Sequence, residues 1–130
     1  MCRNERMETV GTAANVIIGI VALLHTWFLT LEMFLWDKPA GLKAFKLSPE
    51  DAARTKSLAA NQGLYNGFLV AGLLWGLLQG TAGNDVKIFF VGCVIVAGVF
   101  GAATVSSRIL FIQALPAVIA LALWLMSTST

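Results

Sequence analysis

The sequence has few charged residues. Only 12% of its 130 residues are charged, whereas 58% are hydrophobic and the mean hydropathy is +0.79. A soluble domain of this size needs far more charge to cover its surface. The chain is therefore expected to be an integral membrane protein.

Cysteine and histidine are also scarce in the sequence. Cys2 and Cys93 are isolated, and His25 is the only histidine in the sequence. This pattern has no metal-ligand spacing, so no metal site is expected, and Cys93 is interpreted as a small apolar filler. Glycine-rich phosphate loops, nucleophile elbows and nucleic-acid-binding motifs are also missing from the sequence. No nucleic-acid partner is expected.

Long apolar segments dominate what remains. A span needs about 20 mostly apolar residues, and four windows qualify. Together with a helix start at Ser48 and Pro49, they predict an all-α transmembrane four-helix bundle with helices at about residues 10–35, 49–78, 86–105 and 108–126. A single integral membrane domain over residues 1–130 follows. The first apolar run is too long for a signal peptide and no cleavage pattern follows it, so a retained helix is expected.

Lysine and arginine are distributed unequally between the two sides of this topology. One side carries Arg3, Arg6 and Lys87, and the other carries Lys38, Lys43, Lys46, Arg54, Lys56 and Arg108. The positive-inside rule then places both termini outside and the long first loop in the cytoplasm. We expect a multi-pass protein of the cell inner (plasma) membrane, in contact with membrane lipid. Alternatively, Lys43 and Lys46 attract anionic lipid or a ligand.

Glycine and alanine recur at four-residue spacing in the second and third helices. Such ridges let helix backbones approach closely inside a bilayer, where burial against lipid brings no net hydrophobic gain. The ridges suit packing within one chain and also a homo-oligomer, either a dimer or a trimer. The sequence leaves both uses open.

Polar residues cluster at one expected depth in the membrane. They are His25, Glu32, Arg54, Asn61, Gln62, Tyr65, Asn66, Arg108 and Gln113. Polar groups in hydrocarbon are costly unless partnered, so an ionisable residue there is a functional-site hypothesis. We predict a polar pocket, open to the cytoplasm, that binds a small lipophilic or anionic molecule. The alternative is structural: Glu32 pairs with Arg54, Lys56 or Arg108, and His25 is a neutral, hydrogen-bonded core histidine.

Four stretches of the chain carry a family resemblance. Residues 25–36, 38–45, 59–67 and 101–108 resemble a family of small bacterial four-helix membrane proteins catalogued only as a domain of unknown function. The resemblance covers nearly the whole chain. It implies a fold and a membrane location, and it implies no activity.

A second resemblance is weaker. Arg54 opening the second helix, Asn61 and Tyr65 four residues apart, and Arg108 starting the fourth helix are similar to the membrane-associated proteins of eicosanoid and glutathione metabolism. That resemblance implies a trimer binding glutathione, with Asn61 and Tyr65 holding the peptide. Tyr65 and Arg108 would be catalytic residues, Arg108 stabilising a thiolate. The sequence departs from that pattern at Leu64, where an acid usually stands, and in lacking tyrosines on the third helix.

Two further classes of function stay open. Glu32 and His25 share a helix face, which suits a proton-coupled small transporter. A structural or accessory membrane subunit is also compatible with the sequence. Whether the protein is an enzyme is not decided by these residues.

Overall fold

The structure is a computed structural model that describes residues 3–128, with side chains from Asn4 onward. Cys2 and the side chain of Arg3 lie outside the described residues. The regular elements are α1 (Arg3–Met33), α2 (Pro39–Phe45), α3 (Pro49–Leu78), a 3₁₀ turn (Gly80–Gly83), α4 (Asn84–Thr104), a π-helical turn (Leu110–Ala114) and α5 (Leu115–Thr128). No strand occurs among the described residues. The predicted all-α class is confirmed.

Three helical segments are long and apolar enough to cross a membrane. They are Asn4–Met33, Gly80–Thr104 and Leu110–Thr128. Large apolar side chains also lie on the surface, with Leu78 87% exposed and Phe100 69% exposed. A surface this apolar is suited to lipid rather than water. These features support the expected membrane location.

The start of α3 follows from three residues. The backbone N–H of Asp51 donates to Ser48 Oγ at 3.1 Å, and Ser48 Oγ donates to the Asp51 carboxylate at 2.8 Å. Pro49 occupies the first helical position, where its missing N–H costs nothing. Ser48 is therefore the N-cap of α3, as the sequence predicts.

The helix before α5 widens at one point. The N–H of Leu115 donates to the carbonyl of Leu110, five residues earlier, which closes the π-helical turn. Pro116 follows immediately; its ring has no N–H and conflicts with the carbonyl of Ile112 in a regular α-helix. The wider turn accommodates this conflict.

The chain divides into two compact units. Unit one comprises Met1–Ala22 and Gly72–Thr130, and unit two comprises Leu23–Ala71. The core of unit one consists mainly of small and β-branched side chains, including Ala14, Ile18, Val21, Val91, Val94, Ala114, Ala117 and Ala120. Within it, a side-chain carbon added at Gly98 would lie 2.8 Å from the Ala114 Cβ. Small residues thus let α4 and the π-helical turn pack closely.

Unit two contains α2 and the adjoining parts of α1 and α3. The buried positions Ala52, Ala59, Gly63 and Asn66 follow one another along one face of α3. A side-chain carbon added at Gly63 would lie 2.5 Å from Met33 Cγ and 3.2 Å from the Glu32 Cβ. The small-residue ridge of α3 is therefore used, at Gly63, for packing within the chain.

Candidate ligand-binding site around Glu32

The carboxylate of Glu32 is held by one amide in unit two. Glu32 lies in the last turn of α1 and is half-buried. Its Oε2 accepts a hydrogen bond of 2.6 Å from Asn66 Nδ2, and Asn66 itself is only 6% exposed. Gly63 lies one turn before Asn66 and lets α3 approach α1, so the amide reaches the carboxylate. Two of the predicted ligand-binding residues are thereby brought together.

Within unit two, no cation neutralises this carboxylate. The two ion pairs seen there both involve Asp37, and neither involves Glu32. The alternative pairing of Glu32 with Arg54 or Lys56 is not observed in unit two, where Lys56 binds Asp37 at 2.7 Å instead. A neutral amide holds one oxygen of Glu32 and leaves the charge of the ionised form uncompensated.

His25 is a core residue of the same helix. Its side chain is fully buried, and its ring meets the Phe28 ring edge-on, with centroids 5.6 Å apart. Seven residues separate it from Glu32, so the two share a face but lie about 10 Å apart along the axis. Direct hydrogen bonding between them is out of reach at that separation. A relay between His25 and Glu32 needs an intervening group.

The other predicted residues of α3 lie away from its packed face. Arg54, Asn61, Gln62 and Tyr65 are exposed. Arg54, Asn61 and Tyr65 form a stripe displaced by two positions, about 200° around the helix, from the buried small residues. The ring of Tyr65 contacts Phe68 edge-on, with centroids 6.1 Å apart. Their roles in binding stay predictions.

Arg108 and Gln113 belong to unit one. Arg108 is exposed, and its backbone N–H donates to Ser106 Oγ at 3.4 Å. Gln113 is half-buried in the π-helical turn. Tyr65, the second predicted catalytic residue, belongs to unit two. The catalytic roles of Arg108 and Tyr65 stay predictions.

A second polar cluster, in unit one, was not predicted. Lys87 was counted as a charge at the end of a span, but it lies inside α4 and is only 3% exposed. Its ammonium donates to Asn15 Oδ1 and to the Gly80 carbonyl, both at 3.1 Å. Gly76 makes room, because a side-chain carbon there would lie 2.6 Å from Lys87 Cγ. The signal in the sequence was a polar residue near the same end of each of two apolar segments, Asn15 in the first and Lys87 in the third.

The loop after α1 is tied to α3 by side chains. Trp36 Nε1 donates to Thr55 Oγ1 at 3.0 Å, and Lys56 donates to the Asp37 carboxylate at 2.7 Å. The hydrogen bond from Lys56 holds the pKa of the Asp37 carboxyl below its usual value. These two contacts fix the position of the loop relative to the start of α3 in unit two.

Comparison with known proteins identifies the family. Residues 19–125 match the family described as "Protein of unknown function (DUF1304)". The chain belongs to this family. The resemblance to a family catalogued as a domain of unknown function is thus confirmed. As a DUF1304 member, the chain has Glu32, Asn66 and Lys87 inside the matched region, whereas Asn15 lies outside it.

One curated relative of this DUF1304 chain has a name that states no function. The "Uncharacterized protein YpaA" of Lactococcus lactis subsp. lactis (strain IL1403) is 26% identical over 113 residues, which cover 85% of this chain and 95% of that protein. No solved structure matches the chain. The DUF1304 relationship therefore establishes a family and assigns no activity.

Proposed function

We propose that this chain is a multi-pass membrane protein that binds a small lipophilic cation at Glu32 and Asn66. One observation carries the proposal: the Glu32 carboxylate, in an apolar helix, accepts a hydrogen bond from the neutral Asn66 amide and has no cationic partner within unit two. Carboxylates in membrane segments are costly and are typical of substrate and proton sites.

The chemistry of the site favours a cation over an anion. An ionised carboxylate in a low-dielectric environment needs a counter-charge, and it repels anionic molecules. Asn66 holds Oε2, which leaves Oε1 for a ligand or a proton. A proton and a cationic ligand would compete for Glu32, which is the basis of proton-coupled exchange. Among the alternative functions considered from the sequence, a proton-coupled transporter is therefore supported by a specific contact, the hydrogen bond from Asn66 to Glu32.

The membrane arrangement is part of the proposal. We infer four spans, with α3 as the fourth, because its 30 residues extend about 45 Å and match a bilayer with its headgroups. The excess of Lys and Arg beside α2 and the start of α3 favours outside termini and a site open to the cytoplasm of the inner membrane. Reporter fusions at each terminus and within residues 38–48 test this topology. A terminus reporting from the cytoplasm would contradict it.

The binding proposal is tested with tetraphenylphosphonium as the probe. Equilibrium dialysis against detergent-purified protein should give saturable binding that Glu32→Gln weakens at least about tenfold, equivalent to about 1.4 kcal/mol. Glu50→Gln, an equal charge change at an exposed position of α3, is the matched control and should bind as the wild type does. Binding should also weaken as the pH falls, because protons compete for the carboxylate. Equal binding by Glu32→Gln and the wild type would refute the proposal.

The glutathione alternative is separated by a parallel thermal-shift measurement. A ligand that binds the folded state raises its melting temperature by mass action. A shift with glutathione that disappears in Arg108→Ala, alongside no binding of the cation, would support the enzyme instead. An accessory subunit would respond to neither ligand.

A further inference from the structure

The short helix α2 is held in a defined position although it is too short to be stable alone. Seven residues form it, with Pro39 at its start. The Trp36 and Phe45 rings pack against each other with centroids 4.6 Å apart. Gly41 packs directly on the carbonyls of Leu35 and Trp36 and leaves no room for a side chain. The surface that α2 presents is therefore fixed.

The residue that ends α2 has an unusual conformation. Lys46 has φ 54° and ψ 43°, and among the described residues it is the one non-glycine residue with positive φ. The N–H groups of Lys46 and Leu47 both point to the Leu42 carbonyl, which is the normal way of ending a helix on a left-handed residue. Glycine is the usual residue there, because a side chain is strained in this conformation. Retaining lysine at a strained position points to a role for its side chain.

Two lysines of this surface have no partner in the described structure. Lys43 and Lys46 are exposed, and neither forms an ion pair or a side-chain hydrogen bond with any of residues 4–128. Lys56, by contrast, is bound to Asp37. Lys43 and Lys46 are three residues apart, a spacing that places two side chains on neighbouring positions of one helix face.

We propose that Lys43 and Lys46 form a binding site for the phosphate group of an anionic phospholipid at the membrane surface. Lysines at the level of the headgroups attract negatively charged lipids. The two ammonium groups supply the charge and the donors for the phosphate oxygens. This site is separate from Glu32 and does not depend on cation binding there, but it rests on the proposed membrane arrangement, which places α2 beside the bilayer.

Lipid binding is measured by native mass spectrometry of detergent-purified protein titrated with phosphatidylglycerol. Lys43→Gln and Lys46→Gly should each weaken binding about fivefold, and the double variant about 30-fold, from the attraction of one headgroup-level lysine. Lys46→Gly should keep or raise the melting temperature, because glycine relieves the left-handed strain. Loss of lipid affinity with retained stability separates a binding role from a structural one. Lys56→Gln, with the same change in net charge, is the control and should keep the wild-type affinity.

Four results would overturn the inference. Unchanged phosphatidylglycerol affinity in Lys46→Gly and Lys43→Gln would remove the lysines from the site. An equal loss in Lys56→Gln would show that only net charge matters. Equal binding of phosphatidylcholine, or displacement of the lipid by an equal concentration of inorganic phosphate, would show that the site does not select an anionic lipid.

Discussion

Gly63 and Gly92 should respond oppositely to the same substitution. Both are helical glycines, one in α3 and one in α4. A side-chain carbon at Gly63 would lie 2.5 Å from Met33 Cγ and 3.2 Å from both the Glu32 Cβ and the Leu29 carbonyl. At Gly92 it would meet nothing within 4 Å. Gly63→Ala therefore forces α1 and α3 apart at the candidate site, whereas Gly92→Ala fills open space.

The expected magnitude follows from these two environments. Replacing glycine by alanine inside a helix gains up to about 1 kcal/mol in either position. Overpacking costs about 1 to 3 kcal/mol, and only Gly63→Ala incurs it. The helix gain cancels between the variants, so Gly63→Ala should be less stable than Gly92→Ala by about 1 to 3 kcal/mol.

The measurement is reversible unfolding in mixed detergent, followed by circular dichroism, for both variants and the wild type. Gly63→Ala should also weaken binding of the cationic probe, because it displaces the Glu32 side chain. Equal free energies of unfolding for the two variants would refute the close packing of α1 against α3 in unit two. The geometry that joins Asn66 to Glu32 would then be wrong as well.

Three other perturbations test the remaining contacts. A double-mutant cycle of Glu32→Ala and Asn66→Ala should give a coupling energy of about 0.5 to 2 kcal/mol, the range of hydrogen bonds within membrane proteins; additivity would argue against the contact. Lys87→Met leaves the Asn15 amide oxygen and a carbonyl without their donor and should destabilise the protein by about 1 to 3 kcal/mol, while Lys43→Met at an exposed position should change little. The hydrogen bond from Lys56 lowers the pKa of Asp37 on folding. The stability that Asp37 contributes is therefore present above the usual aspartate pKa and is lost as the pH falls through the lowered value. The difference in melting temperature between the wild type and Asp37→Asn should shrink in acid, and a constant difference would contradict this.

Some local structure could be predicted from single residues. Ser48 and Pro49 predict the start of α3 because capping and the first helical position are decided by neighbours in sequence. Pro116 deprives the Ile112 carbonyl of its helical donor, but the π-helical turn found there was not predicted. The burial of Lys87 could not be predicted from the sequence. A lysine near the end of a span gives the same hydropathy pattern whether its side chain faces water or lies buried beside Gly76.

The candidate site was only partly predictable for a related reason. Polar residues on α3 marked the helix, and one of them, Asn66, does hold Glu32. The sequence marked the ridge of Ala59 and Gly63 as a packing face of α3, but it left open whether that ridge packs within one chain or between copies. In the structure α1 packs on this ridge at Gly63.

Composition and apolar length were sufficient to assign an all-helical membrane protein, since lipid imposes a hydropathy and a span length that any such chain must satisfy. Tertiary contacts decided which helix faces meet and which polar groups pair, at Glu32 with Asn66 and at Lys87 with Asn15. The physical reason is that lipid and a neighbouring helix are equally apolar. Hydropathy cannot distinguish them, and only close packing and hydrogen-bond geometry do.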